Sequence, residues 1–212
     1  MNFVNYYWYF QGVLTPKFCD EVIKFGNSQK ELLANTGNFQ HKLDKKIPLS
    51  KKDIKDLKKK RDSNVAWLND RWIYREIFPY VHMANKNAGW NFQWDWAESC
   101  QFTKYKKGQF YDWHCDSWDK PYGNKEDVNK FNKIRKLSVT CSLSDPKKYK
   151  GGELEFDFRN RDPKIISKKV CTEIMPRGSI VVFPSHVWHR VKPVNKGERY
   201  SLVIWNLGNP FK

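Results

Sequence analysis

Hydrophobic positions change their spacing near residue 90. Before it, apolar residues recur at threes and fours, the period of an amphipathic helix; after it they alternate, the period of a strand. Phe18, Val22, Ile23 and Phe25 lie behind Thr15-Pro16, an N-cap with proline at the first helical position, and Gly26 supplies a stop, so a helix is expected there. Trp67, Leu68, Trp72, Ile73, Ile77, Phe78 and Val81 predict a second helix over 65–85, which Pro79 must kink or end. Ahead of them, Tyr6 to Phe10 reads as a short aromatic strand. Residues 35–61 are polar, basic and broken by Gly37 and Pro48, the pattern of a loop. Its second half starts a short helix, with Ser50 as cap and Asp53 at the capping-box position, running on toward Trp67 and Leu68.

From Trp90 the chain reads as strands. Phe92, Trp94 and Trp96 alternate with Asn91, Gln93 and Asp95, and 101–105 continues the pattern. Further strands follow over 110–113, 136–143, 153–158, 164–174 and 179–183, separated by Gly and Pro turns. In 136–143 one face reads Leu137, Val139, Cys141 and Leu143 and the other Ser138, Thr140 and Ser142; nothing in the pattern says which looks at a pocket. Short strands at this spacing predict a mainly β fold with supporting N-terminal helices, a double-stranded β-helix or jelly roll. At 212 residues one domain is expected, with 1–95 as a mostly helical support region and 96–212 as the jelly-roll core.

Charge adds to this picture. Lys and Arg number 39 against 23 Asp and Glu, a net +16, which points to acidic partners or nucleic acid. Much of it sits in the 35–61 segment, where a solvated face is the simpler reading. Five cysteines without C-x-x-C spacing exclude a disulfide framework or structural zinc and predict a reducing compartment. The aromatic start lacks the marks of a secretory leader and no apolar run reaches membrane-spanning length, so a cytoplasmic protein without membrane attachment is expected.

Candidate chemistry concentrates at QFTKYKKGQFYDWHCD, residues 101–116. His114 and Asp116 sit one residue apart, so on an extended backbone both leave the same face. His189 is the third ligand of choice; His186, three residues earlier, falls in a turn and faces away. Asp112 and Asp119 are rival carboxylates out of register, and His82 reads as packing. Two imidazoles and a carboxylate make the facial triad of non-haem Fe(II) oxygenases. Arg199 follows His189 by ten residues, as if adjacent strands brought both into one pocket, and its fork suits a carboxylate. Tyr105 adds a phenol. Trp113 and Trp118 are candidate substrate-site walls, with core packing as the alternative. The polar stretch 117–135 is either a lid over substrate or a tolerated insertion.

Tyr105, Gly108, His114, Asp116, Gly151-Gly152-Glu153-Leu154, Phe183-Pro184-Ser185, His189, Pro193-Val194, Gly197, Arg199 and Trp205 resemble the Fe(II)/2-oxoglutarate dioxygenases of the prolyl 4-hydroxylase-like branch, over about 98–208. The resemblance implies that His114, Asp116 and His189 hold Fe(II), that Arg199 and Tyr105 hold the distal carboxylate of 2-oxoglutarate, and that O2 is consumed with ascorbate as reductant. It implies hydroxylation of a peptide or protein side chain. Prolyl 4-hydroxylases usually carry Lys where this chain has Arg199, which keeps the cation and loosens the tie to proline. Nucleic-acid dealkylation is the rival activity, invited by the charge, and a non-catalytic basic binding protein on the same scaffold is the rival class.

Overall fold

A computed structural model describes residues 5–37, 39, 42, 45, 47–117, 120–159 and 167–211. It opens with β1 (Trp8–Phe10) and α1 (Pro16–Ser28). Thr15 Oγ1 accepts the Phe18 N–H at 3.1 Å, so the expected cap is made. Gly26 does not stop α1. A Cβ there would lie 2.5 Å from the Phe102 ring, so the missing side chain lets the helix rest on the sheet, and the helix ends two residues later.

After β2 (Leu32–Leu33), the capping box of Ser50 and Asp53 starts α2 (Lys51–Lys58). The helix is over before Trp67. Two strands follow it, β3 (Arg61–Asp62) and β4 (Asn64–Leu68), and only then α3 (Arg71–Asn87). The helix expected over 65–85 is therefore wrong in its first six residues, four of them strand. Val65, Ala66 and Leu68 are buried by pairing alongside 100–103, a contact between distant segments that local spacing does not reveal. Pro79 neither ends nor breaks α3. Ile73, Ile77, Val81 and Ala84, all fully buried, dock one face of the helix across the proline and hold it together.

The strand expected over 91–96 is mostly absent: β5 is Trp96–Ala97 alone. Asn91 takes φ 52°, and the Asn85 side chain bonds both the N–H and the C=O of Phe92 at 2.9 Å, so the backbone is satisfied without a partner strand. The remaining strands are β6 (Cys100–Tyr105), β7 (Phe110–His114), β8 (Ile134–Ser142), β9 (Lys150–Gly151), β10 (Leu154–Asp157), β11 (Lys168–Val170), β12 (Ile180–Pro184), β13 (Trp188–Val191), β14 (Val194–Lys196) and β15 (Arg199–Gly208). The strand expected over 164–174 lies partly outside the described residues; within them it is β11 and a 3-10 turn at Thr172–Ile174.

All pairings are antiparallel. An eight-stranded sheet runs β1-β12-β8-β15-β6-β4-β2 with β5 beside β15, and a five-stranded sheet runs β11-β10-β13-β7-β3. This is the expected jelly roll, with the refinement that segments before residue 95 add strands to both sheets. One core lies between the large sheet and α1 and α3, around Phe102, Leu137, Val139, Leu202 and Ile204. A second lies between the sheets, around Phe156, Phe183, Val187 and Val191. Leu137, Val139 and Cys141 face the helices, which turns Ser138, Thr140 and Ser142 toward the small sheet and the ligand candidates.

Candidate metal centre

His114 ends β7 and pairs directly with His189 on β13. Between the pairs His189–His114 and Val191–Tyr111 the register slips by one residue, so Tyr111 comes to the His114 side, ring centroids 3.5 Å apart. Asp116 is not on the strand. It lies in the bend beyond it, where the N–H groups of Asp116 and Ser117 both donate to the Ser185 carbonyl at 2.8 and 2.9 Å. The clamp therefore closes through a turn pinned from the β12–β13 connection, which also leads to His189.

Each imidazole is oriented from behind. Nδ1 of His114 donates to the Asp112 carbonyl at 2.7 Å and Nδ1 of His189 to the Val187 carbonyl at 3.0 Å, which leaves both Nε2 lone pairs facing inward. His114 Nε2 is 3.9 Å from Asp116 Oδ1 and His189 Nε2 is 3.6 Å from Asp116 Oδ2. One donor atom from each of the three lies within 4.8 Å of the others. Burial, then the neighbouring His189, push the His114 imidazole well below its ordinary value, against the pull of Asp116, so it stands neutral as a ligand must. Burial alone would raise the Asp116 carboxyl. His189, His114 and Arg135, together with the Ser138 hydroxyl, outweigh it and keep the carboxylate charged. Ser138 Oγ donates to Asp116 Oδ2 at 2.7 Å and shares a hydrogen bond with Ser185 Oγ at 2.9 Å. Two imidazoles and one carboxylate, inward-facing and held from behind, fit a divalent iron.

Arg199 and Tyr105 are cross-strand partners on β15 and β6. Arg199 is 3% exposed, its Cζ lies 5.5 Å from the Tyr105 ring, and Nη1 donates to Ser201 Oγ at 3.2 Å. Among the described residues no carboxylate lies in ion-pair reach, so this buried guanidinium is free to take one. Gly152 makes room for it: a Cβ there would sit 2.8 Å from Arg199 Cδ. Arg199 and His189 are not on adjacent strands, as their spacing suggests, but on different sheets.

Trp113 is set apart from these groups. Its ring is stacked under Arg190 at 4.7 Å, and Arg190 leaves β13 on the side opposite its neighbour His189. Trp118 and Asp119 lie outside the described residues. Asp112 pairs with Lys60 at 3.6 Å, His186 is exposed in the turn before β13, and His82 stacks on Trp94 at 4.7 Å.

Beside Asp116 opens a cavity of about 440 Å³. Its walls include Trp205, one of the residues carrying the resemblance, and residues that sequence reasoning passed over: Arg61, Tyr111, Gln101 and Arg135. Arg135 makes two 2.7 Å bonds to Glu98 and stacks on Trp205 at 3.9 Å; Tyr122 donates to the same carboxylate at 2.8 Å. Arg61 ends a run of lysines, so it reads as one more solvated charge. Nothing local in the sequence marks it as buried.

A jelly roll with an inward-facing His-Asp-His cluster and a buried, unpaired arginine belongs to the architecture of non-haem iron oxygenases. Residues 100–206 match the family described as the 2OG-Fe(II) oxygenase superfamily, half of the chain, and the chain belongs to that family. It is 36% identical over 109 residues to a PKHD-type hydroxylase of Synechococcus sp. (strain CC9605), covering 51% of this chain and 41% of that protein. To a PKHD-type hydroxylase of Pseudoalteromonas atlantica it is 32% identical over 107 residues, 50% of this chain and 41% of that protein. The chain spans about two fifths of the length of these curated relatives. Its fold is similar to the viral collagen prolyl hydroxylase of Paramecium Bursaria Chlorella virus-1, with TM-score 0.62, 20% identity and 97% of each chain covered. A Pseudomonas putida prolyl-4-hydroxylase follows at TM-score 0.59 and 16% identity, with 96% and 92% covered. Among the described residues no helix is long and apolar enough to cross a membrane.

Proposed function

We propose that this chain is a prolyl 4-hydroxylase-like hydroxylase of a peptide or protein side chain, with His114, Asp116 and His189 holding Fe(II). The observation that carries it is the convergence of three ligand atoms within 4.8 Å, with both imidazoles oriented by carbonyls behind them. Bound together, Fe(II), 2-oxoglutarate and O2 supply the oxidising chemistry, with hydroxylated substrate, succinate and CO2 as products.

Arg199 takes the distal carboxylate of 2-oxoglutarate, with Tyr105 beside it, and the Ser138, Thr140 and Ser201 side of the large sheet gives that molecule a polar wall. Asp116 stays charged and His114 neutral, so these two need no proton transfer before binding metal. The aromatic and cationic walls of the 440 Å³ cavity receive the substrate and displace water from it. Tyr122 ties the 117–135 connection to Glu98, and through it to a cavity-lining arginine, which supports a lid role for that connection. The same reading has one domain over 1–212, ascorbate as reductant and a cytoplasmic setting.

The test is succinate release by the full chain given iron, ascorbate and 2-oxoglutarate. His189→Ala and Asp116→Ala should each abolish it; unchanged turnover in either variant overturns the ligand assignment.

A further inference from the structure

Three arginines surround the site, and their partners differ. Arg135 is matched by the two oxygens of Glu98. Arg199 is reserved for the cosubstrate. Arg61 is 4% exposed, with Nε bonded to Ser63 Oγ at 3.1 Å, Nη1 to the Asn35 carbonyl at 3.0 Å, and Cζ 4.4 Å over the Tyr111 ring. Among the described residues its Nη2, though buried, meets no hydrogen-bond partner, and neither do Nδ2 and Oδ1 of Asn35. Both residues line the cavity beside Asp116.

Buried polar atoms are rarely left unpaired, and a buried guanidinium without a counter-ion is costly to keep. Here three such atoms share one wall of one cavity. Arg61 Nη2 and Asn35 Nδ2 are donors, and a carboxylate, with two oxygens and several lone pairs, is the acceptor that satisfies both. Asn35 Oδ1 is an acceptor, which a peptide N–H satisfies. Around them Leu32, Leu33, Val65 and Trp67 offer apolar surface to the methylenes of a side chain. Among the described residues β2, which carries the two leucines, is the last strand of its sheet, so that edge can pair with an extended chain.

We propose that this cavity wall is a subsite for an acidic residue of the substrate, Asp or Glu, whose carboxylate is taken by Arg61 and Asn35. The proposal rests on the peptide-hydroxylase reading above and adds to it a substrate class: acidic peptides. A single unpaired guanidinium beside apolar residues favours one carboxylate over the repeated phosphates of a nucleic acid, which draw on several cations at once.

Binding is measured by fluorescence anisotropy on the full chain loaded with Mn(II) and 2-oxoglutarate under nitrogen, at salt high enough to screen surface lysines. The probes are two labelled peptides around a central proline, one with flanking Glu and the other with Gln in the same places. The Glu peptide should bind the unaltered protein at least about tenfold more tightly. Arg61→Met should erase that preference, Arg61→Lys keep part of it, and Asn35→Leu reduce it. Equal binding of the two peptides, which needs no variant to observe, overturns the proposal, as does a preference that survives Arg61→Met. Displacement of the Glu peptide by lower concentrations of a single-stranded oligonucleotide overturns it in favour of a nucleic acid. Succinate release is scored separately on the iron-loaded protein. No turnover with the Glu preference intact defeats the oxygenase reading alone; turnover without the preference defeats the acidic subsite alone.

Discussion

The large sheet is buried on both faces, yet the two faces are made differently. Toward the helices, β6, β8 and β15 present Phe102, Leu137, Val139, Cys141, Leu202 and Ile204, all at most 3% exposed. Toward the small sheet the same strands present Gln101, Thr103, Ser138, Thr140, Arg199 and Ser201, none more than 7% exposed. Antiparallel sheets commonly turn their polar face to water. Here it is turned inward, where every polar group must be matched by another or by a ligand. Ser138 finds Asp116 and Gln101 finds Thr103, while Arg199 keeps donor capacity in reserve. One face therefore holds the fold together and the other holds chemistry.

Mutations should separate the two faces. On the helix side, Phe102→Ala removes a ring packed against Gly26 and should cost about 3–5 kcal/mol of stability, read by denaturant unfolding. Metal affinity per folded molecule should not move. At the rim of the polar side, Glu98→Gln leaves Arg135 largely buried without its counter-charge and should cost roughly 3 kcal/mol.

Acid should do the same reversibly. Burial by itself raises the Glu98 carboxyl, but the charge and hydrogen bonds of Arg135, helped by Tyr122, hold it below its ordinary value of 4.5. A carboxyl lowered by folding contributes stability that is present above its unfolded value and is lost as pH falls through the folded one. The acid limb of the stability curve should therefore be shallower in Glu98→Gln; an identical limb counts against this ion pair.

The smallest effect on the fold, and the most telling, is Ser138→Ala. It frees one oxygen of Asp116 from its positioning hydroxyl and should weaken divalent-metal affinity about 10–100-fold, measured by competition with a chelating dye. The melting curve of the metal-free protein should move far less than in Phe102→Ala, and Ser138→Thr should restore most of the affinity. If the affinity of Ser138→Ala is unchanged, the hydroxyl is only filling space.

The convergence of the proposed ligands was readable because they carry local marks. His114 and Asp116 are close in sequence, and His189 is followed by a Pro-Val turn and Arg199. The helix caps at Thr15 and Ser50 were readable for the same reason, since a cap is a contact across three residues. Arg61, Asn35 and Glu98 left no such mark: each acquires its role from a partner tens of residues away, and in sequence each is an ordinary polar residue. Val65–Leu68 failed in the opposite direction. Their spacing is helical, and only pairing with β6 made them a strand. Trp113, a candidate substrate-site wall because it neighbours His114 in sequence, packs under Arg190 instead, as strand neighbours point to opposite sides.

By itself the sequence nominated the residues proposed to bind iron and a dicarboxylate, because ligand chemistry resides in side-chain type and close spacing. It also determined that the second half of the chain is strands, because alternation with Gly and Pro turns permits little else. The tertiary structure alone decided which face of β8 looks inward, how Ser185 pins the turn bearing Asp116, and that Arg61 is buried with no counter-charge among the described residues. Those depend on which segments lie opposite one another, and burial and pairing are properties of that arrangement and of no single stretch of chain.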